Sequence, residues 1–347
     1  MSGIVVVKPG LFSTVQDGGR PGHAAMGVSA CGVADRVAWR MGNALVGNRF
    51  DTRSEARSEA RFDSCSEARF RAAAQSAGCA AIECTRLGGV FRFEQDAWVA
   101  WTGAPSLLDW RAQFVRAGTE LSCPRISDGA RAYLCVRGGI ELDPVLGSRS
   151  THVPSALGGL QGRVLMAGDR LAIGPDPKTP VSAQRSIEPE SIPGYSARAA
   201  LRIVPGAQAD WFDEAVRRQL EDSIWSVAPQ SDRMGIRLHG PALSVPTREL
   251  LSEGVTLGAL QVPPSGQPIV LFVDHQTSGG YPKLACVIQA DHARLGQLHP
   301  GRRFRLAWVT LDAARTALRE QEAALRKQEA MLGSAERAET DARRGSG

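Results

Sequence analysis

The amino-acid sequence predicts a mostly β protein of two related domains. Three observations lead there: 347 residues with 43% hydrophobic content, 37 glycines without any Gly-X-Y period, and short apolar runs that recur between Gly, Pro, Asp and Ser. Single hydrophobic cores stop growing near ~250–300 residues, so a chain of this length calls for two. Glycine well above the usual share of about 7% signals many tight turns.

The apolar runs at 4–7, 98–101, 131–136, 201–204, 269–273, 284–288 and 304–309 are rich in Val, Ile and Leu. They read as strands of a barrel or sandwich, because helices of about 10–15 residues do not alternate with them. Helical periodicity is confined to two places before the tail. Residues 35–46 set Val37, Met41 and Leu45 on one face, and 210–220 follow a cap at 209–210 with Trp211, Ala215 and Val216.

Residues 175–197 hold five prolines among Ser, Glu and Lys and are expected to link a first domain, 1–174, to a second, 198–310. Ala167-Gly168-Asp169-Arg170-Leu171 and Pro300-Gly301-Arg302-Arg303-Phe304 suggest that both halves close with the same turn-then-strand unit. Residues 49–76 form a low-complexity insert in which Ser-Glu-Ala-Arg occurs at 54, 58 and 66. Such a charge run buries too little apolar area to order itself, so a solvated loop is expected. From 311 onward Leu311, Leu318, Leu325 and Leu332 repeat at seven-residue spacing, but Ala314, Gln321 and Gln328 fill the complementary positions. A strong coiled coil needs both positions apolar, so a partly docked helix is expected, with order ending near Gly333.

The net charge of +5 is spread along the chain, and its arginine-rich stretches alternate with acids. A nucleic-acid face needs clustered basic residues, so no nucleic-acid partner is expected. Seven cysteines occur without a Cys-x-x-Cys pair, which supports neither a disulfide framework nor a zinc site, and no metal is expected. The four-residue apolar run at the N-terminus is too short for a signal segment or a membrane span, so a cytoplasmic protein without a membrane partner is expected.

Four segments combine glycines with functional polar groups, the pattern by which a chain brings backbone N–H groups and side chains close to a ligand. The first, 8–20, leads a strand into a Gly-Gly turn with Gln16, Asp17 and Arg20 at its lip; read alone it is a tight turn with a structural Asp. In the second, Gly147-Ser148-Arg149-Ser150-Thr151, a guanidinium among hydroxyls suits a carboxylate or phosphate, while a plain Ser/Thr turn stands beside that reading. The third, 231–240, places Asp232 beside Arg233 before an alternating strand, where a structural ion pair competes with a site role. The fourth runs from Ser252 to Lys283. Its Gln261, Asp274, Gln276, Thr277, Gly279, Gly280, Tyr281 and Lys283 lie around a Gly-Gly turn between two apolar strands, and folding alone explains that density poorly. No Gly-x-Ser-x-Gly, His-Glu-x-x-His or Walker loop occurs, which argues against ordinary serine hydrolases, zinc peptidases and P-loop enzymes.

In this order these segments resemble the family of C-type 5-oxoprolinase subunits, also described as KipA-like or urea amidolyase-related carboxyltransferases. The resemblance spans Lys8 to Leu306 through TVQDGGR, SACGVAD, NALVGN, GSRST, VPGAQADWF, SDRMGIRLHGP, the long 252–291 segment and LHPGRRFRL. The insert interrupts it, Ser278 stands where a second Thr is common, and the tail after Thr310 lies outside it. The resemblance implies two cyclophilin-like β barrels. It also implies ATP-dependent (Mg-assisted) opening of 5-oxoproline to glutamate together with A-type and B-type subunits.

On that reading Arg233 and Arg149 meet anionic groups, Lys283 adds a charge, and Gln261, Gln276 and Thr277 hydrogen-bond the amide. Asp17, Asp232 and Asp274 orient them, with Gln16, Ser150, Gly279, Gly280 and Tyr281 completing the site. Arg233, Asp232 and Lys283 are the expected catalytic groups. Gln276, Thr277, Tyr281 and Lys283 are expected to share a pocket with Arg233, with Gln261 behind them. Two alternatives are a module moving a carboxyl group from carboxybiotin to urea or a related amide, and a non-catalytic regulator that binds a B-type partner.

Overall fold

A computed structural model describes residues 3–48, 79–104, 110–123, 125–192, 195 and 200–344, with side chains to 333. The expected solvated loop at 49–76 lies outside these residues. The chain divides into two compact units. The first comprises Met1–Arg20, Arg36–Ile192 and Glu322–Gly347, and the second Pro21–Asp35 and Pro193–Gln321.

The first unit is built on two sheets. One has five strands in the order Glu120–Ser122, Val90–Phe93, Gly3–Lys8, Arg170–Ile173, Ile140–Glu141. The other has six: Ser186–Ile187, Trp110–Val115, Ala97–Gly103, Arg131–Val136, Ala81–Thr85, Phe12–Gln16. Their inner faces share one core containing Ile4, Val6, Phe91, Phe93, Val99 and Leu134. Helix α1, Arg36–Leu45, belongs to this unit, and Val37, Met41 and Leu45 are buried as its period requires.

The second unit is an eight-stranded sheet ordered Arg303–Phe304, Trp225–Val227, Gly235–His239, Ile269–Leu271, Ala259–Gln261, Lys283–Val287, Leu201–Pro205, Leu306–Trp308. Its core contains Ile203, Trp225, Leu260, Phe272 and Leu284. Helix α2, Glu214–Asp222, buries Val216 and Leu220, and the short α3, His292–Gly296, buries Leu295. A two-stranded ladder joins Glu253–Gly254 to Ser278–Gly279.

The related turns anticipated at the two ends are present. Gly168 and Gly301 adopt φ of 89° and 82°, left-handed values open to glycine at little cost. Each N–H donates at 2.8 Å to a strand carbonyl, Val6 and Val227 respectively, before the chain enters its next strand.

Three sequence expectations change. The linker is shorter than 175–197, because Ser186–Ile187 pairs with Trp110 and Arg111, and Arg185 donates to the Ala44 and Leu45 carbonyls. Residues 21–35 pack with the second unit rather than the first. Helix α4, Leu311–Arg344, continues past Gly333, and the boundary between the units falls within it at Gln321. It is docked, as its uneven heptads suggest: Leu325 and Leu332 are buried while Leu311 is exposed. Arg40 of α1 holds Glu322 at 2.7 Å and Glu329 at 2.6 Å.

Candidate functional site

In the second unit, Gln261 and Lys283 are register partners on adjacent antiparallel strands, with a bulge between Leu260 and Gln261. Direct antiparallel partners project from the same face, so the two side chains share one side of the sheet. The ladder that pairs Glu253 with Gly279 brings a carboxylate there, and Lys283 Nζ lies 2.5 Å from Glu253 Oε1. Gln208 ties the group together: its Nε2 donates to Glu253 Oε1 at 2.9 Å, and its Oε1 accepts the Lys283 N–H at 3.2 Å. The Lys283 ammonium, helped by the Gln208 amide, holds the Glu253 carboxyl below the usual carboxylate range.

Gln261 is buried to 2% exposure, and its Nε2 has no hydrogen-bond partner in the protein. That nitrogen and Gln276 Nε2 both face the bare α-carbon of Gly279. Beside them His275 Nδ1 sits 2.6 Å from the Gln276 carbonyl oxygen, and burial pushes the His275 pKa down. Amide donors gathered around an internally neutralised ion pair suit an uncharged amide better than a free anion. The expectation that Gln261 stands behind the other groups is revised, since its amide nitrogen reaches the same glycine as Gln276.

Arg233 forms a second cluster. Its Nε and Nη2 donate to the two Asp274 oxygens at 2.8 and 3.0 Å, and Nη2 donates to the Gly32 carbonyl at 2.6 Å. Both charges are buried, with Arg233 7% and Asp274 2% exposed. The Asp232–Arg233 neighbour pair anticipated from sequence is therefore replaced by Arg233–Asp274. Asp232 is exposed and caps its own turn, accepting the Met234 and Gly235 N–H groups at 2.8 and 3.0 Å. Adjacent side chains diverge at a tight turn, whereas the ladder from Gly235 to Leu271 brings 233 and 274 together.

Several of the remaining expected residues make local contacts. In the first unit the Asp17 carboxylate accepts Ser148 Oγ, Ser150 Oγ and Arg149 N at 2.6 Å each and Gly19 N at 2.9 Å. Burial nevertheless pushes its pKa up. Gln16 Nε2 donates to the Thr151 carbonyl at 2.9 Å, and Arg149 pairs with Glu141 at 2.6 Å. In the second unit the Thr277 carbonyl accepts Val255 N at 3.1 Å, and Tyr281 is 45% exposed beside the glycine pair. Gly280 has room for a side chain, with no neighbour closer than 3.4 Å to a Cβ built there.

Sequence reasoning missed Glu253 and Gln208. Glu253 carried a usable signal, an acid immediately before Gly254 within the fourth segment. Gln208 carried only its place within VPGAQADWF, since the fold alone brings its turn beside Lys283. Among the described residues, no group of three or more His, Cys, Asp or Glu side chains could hold a metal ion. Among the described residues, no helix is long and apolar enough to cross a membrane.

Comparison with known proteins gives this geometry a family. The chain is 38% identical over 327 residues to the C subunit of 5-oxoprolinase from Escherichia coli, covering 91% of this chain and 94% of that protein. It is 35% identical over 321 residues to the protein of the same name from Haemophilus influenzae. The urea amidolyase of Saccharomyces cerevisiae is 26% identical over 345 residues, which are 92% of this chain and only 17% of that protein. Among solved structures, the K. lactis urea amidolyase superposes with a TM-score of 0.77 at 25% identity over 94% of this chain, which spans 20% of that one. The family model for the carboxyltransferase domain, subdomain A and B, matches residues 67–308. This chain belongs to that carboxyltransferase-domain family, alongside the C subunits of 5-oxoprolinase.

Proposed function

We propose that this chain is a subunit of an ATP-dependent 5-oxoprolinase, which opens 5-oxoproline to L-glutamate together with A-type and B-type subunits. The observation that carries this reading is the near end-to-end match to two proteins named as the C subunit of 5-oxoprolinase, at 94% and 92% of their lengths. A lactam carbonyl is a poor electrophile, and phosphoryl transfer from ATP is the chemistry that activates it.

Ion pairing within the chain speaks against a triphosphate cradle among its described residues. Lys283 is paired with Glu253, Arg233 with Asp274 and Arg149 with Glu141, so the cations of the expected site are neutralised in place. We therefore assign ATP and its Mg to a partner subunit. The contribution of this chain is recognition of the amide. Gln261 and Gln276 supply N–H donors, and the Glu253–Lys283 pair, held by Gln208, supplies a fixed carboxylate and ammonium beside them. Arg233 positions the site indirectly, by fixing the start of the 274–277 loop through Asp274.

A second reading, carboxyl transfer from carboxybiotin to urea or a related amide, is favoured by the match to urea amidolyases along 92% of this chain. Both reactions need a bound amide, so the same groups serve either. Co-purification with A-type and B-type subunits, followed by glutamate release from 5-oxoproline with and without ATP, separates them. Glutamate formed only with ATP and without any biotin carrier upholds the first; biotin-dependent consumption of urea without glutamate formation overturns it.

A further inference from the structure

We infer that Gly279 forms a notch in which Gln261 and Gln276 donate to one uncharged carbonyl oxygen, that of a lactam or small amide, and that the missing side chain at 279 sets this specificity. The inference rests on the amide-binding reading above and deepens it. A Cβ on Gly279 would stand 2.9 Å from Gln261 Nε2, 3.1 Å from Gln276 Nε2 and 3.4 Å from Val255 Cγ1. Two amide nitrogens thus come within about 3.1 Å of one point beside the glycine.

Backbone conformation does not explain the glycine. Its φ is not among the left-handed values of this chain, so an L residue fits the backbone there and only the added side-chain atom meets an obstacle. The neighbouring Gly280 lacks such an obstacle, which singles out 279.

Gln261 points to a ligand independently. Its Nε2 is buried and has no partner, in a side chain only 2% exposed. A buried donor left unmade is costly, whereas an apolar side chain of similar shape costs nothing comparable, so folding alone gives no reason for an amide at this position. Gln276 is exposed, whereas Gln261 is buried.

The charge environment selects the kind of acceptor. Lys283 and Glu253 neutralise each other at 2.5 Å, and the converging donors are uncharged amides. A carbonyl oxygen accepts two such hydrogen bonds; a carboxylate or phosphate is better served by a guanidinium fork, and that of Arg233 is held by Asp274.

The test is a titration of the nitrogen-labelled full-length chain, following the side-chain NH2 signals of Gln261 and Gln276 by NMR. Pyrrolidone, the lactam ring without the carboxylate, should shift both pairs saturably. Proline, which has the carboxylate but no lactam carbonyl, and inorganic phosphate should leave them in place. Gly279→Ala should weaken the lactam response by about tenfold or more with little change in melting temperature. Gln261→Met should abolish it while leaving the melting temperature unchanged or raised.

Absence of a saturable shift in the natural chain overturns the inference. So does Gly279→Ala binding as the natural chain does, a response to proline or phosphate equal to that of the lactam, or a lowered melting temperature in Gln261→Met, which would make the amide structural. Lactam binding without glutamate release by the assembled subunits sinks the oxoprolinase reading alone. Turnover without these shifts sinks the notch alone.

Discussion

Asp17 and Arg233 show how residues of catalytic type can be taken up by the fold. Asp17 receives four donors, three of them from the 148–150 turn, so it fixes the loop that Gly147 opens. Asp17→Asn keeps the shape but turns one acceptor into a donor facing donors. We expect a loss of about 2–3 kcal/mol in stability, read by urea unfolding, because buried hydrogen bonds are left unmade. An unchanged unfolding midpoint would mean that the turn holds without the carboxylate. Arg233→Lys keeps the charge but loses the planar fork that serves Asp274 and Gly32 together. The melting temperature of the free chain should fall by several degrees, and activity in the assembled complex should fall with it; a large activity loss at unchanged melting temperature would instead place Arg233 on the substrate. The sequence made both residues conspicuous through their glycine-rich settings. It left their partners unspecified, because Asp274 reaches Arg233 only through the pairing of 235–239 with 269–271.

Among the elements, strands were legible wherever burial on both faces wrote an unbroken apolar run. Arg131–Val136 is buried at every position and was bounded correctly, whereas the run at 304–309 is split into Arg303–Phe304 and Leu306–Trp308. Hydrophobicity locates such a segment but does not show where its ladder changes partner, from Trp225 to Leu201 and its neighbours. The insert illustrates the converse. The residues on either side of it meet at one place, since Asn43 Nδ2 donates to the Cys79 carbonyl at 3.2 Å and Asn43 Oδ1 accepts Asn48 Nδ2 at 2.7 Å. A short connection can close that gap, so deleting residues 50–71 should leave the thermal transition of the chain within a few degrees; failure to fold would refute the reading of a dispensable loop. Helix α3 carries a pH dependence. Burial pushes the pKa of His292 from 6.5 down to about 4, with Nε2 3.2 Å from the Val287 carbonyl oxygen and Asp291 adjacent. Between these values the unfolded chain binds a proton that the folded chain refuses. The stability is therefore fully present above about pH 6.5 and is lost as pH falls toward about 4, by at most about 3 kcal/mol. His292→Gln should flatten unfolding free energy over that range, and an unaltered slope would assign it to other groups.

At the scale of the whole molecule, length, proline distribution and the paired glycine turns at 168 and 301 carry the expectation of two domains. The exchange of residues 21–35 into the second unit carries no such signal, because no composition change marks the points where the chain leaves one core for another. The candidate site was legible as a region, 252–283, and not as a constellation: Gln208 joins it from the turn after Leu201–Pro205. Each cation of that constellation already has a carboxylate, and no metal-ligating group of side chains stands among the described residues. Opening a lactam at the expense of ATP requires a place for the triphosphate, its metal and the attacking water in one enclosure. The purified chain should therefore release no glutamate from 5-oxoproline with ATP present, while adding A-type and B-type subunits should restore turnover. In that complex Lys283→Met should depress kcat strongly and leave co-purification intact, because removing the ammonium frees Glu253 without touching the fold elsewhere. Steady turnover by the chain alone would show that it builds its own phosphate site, and full activity of Lys283→Met would remove the Glu253–Lys283 pair from the chemistry.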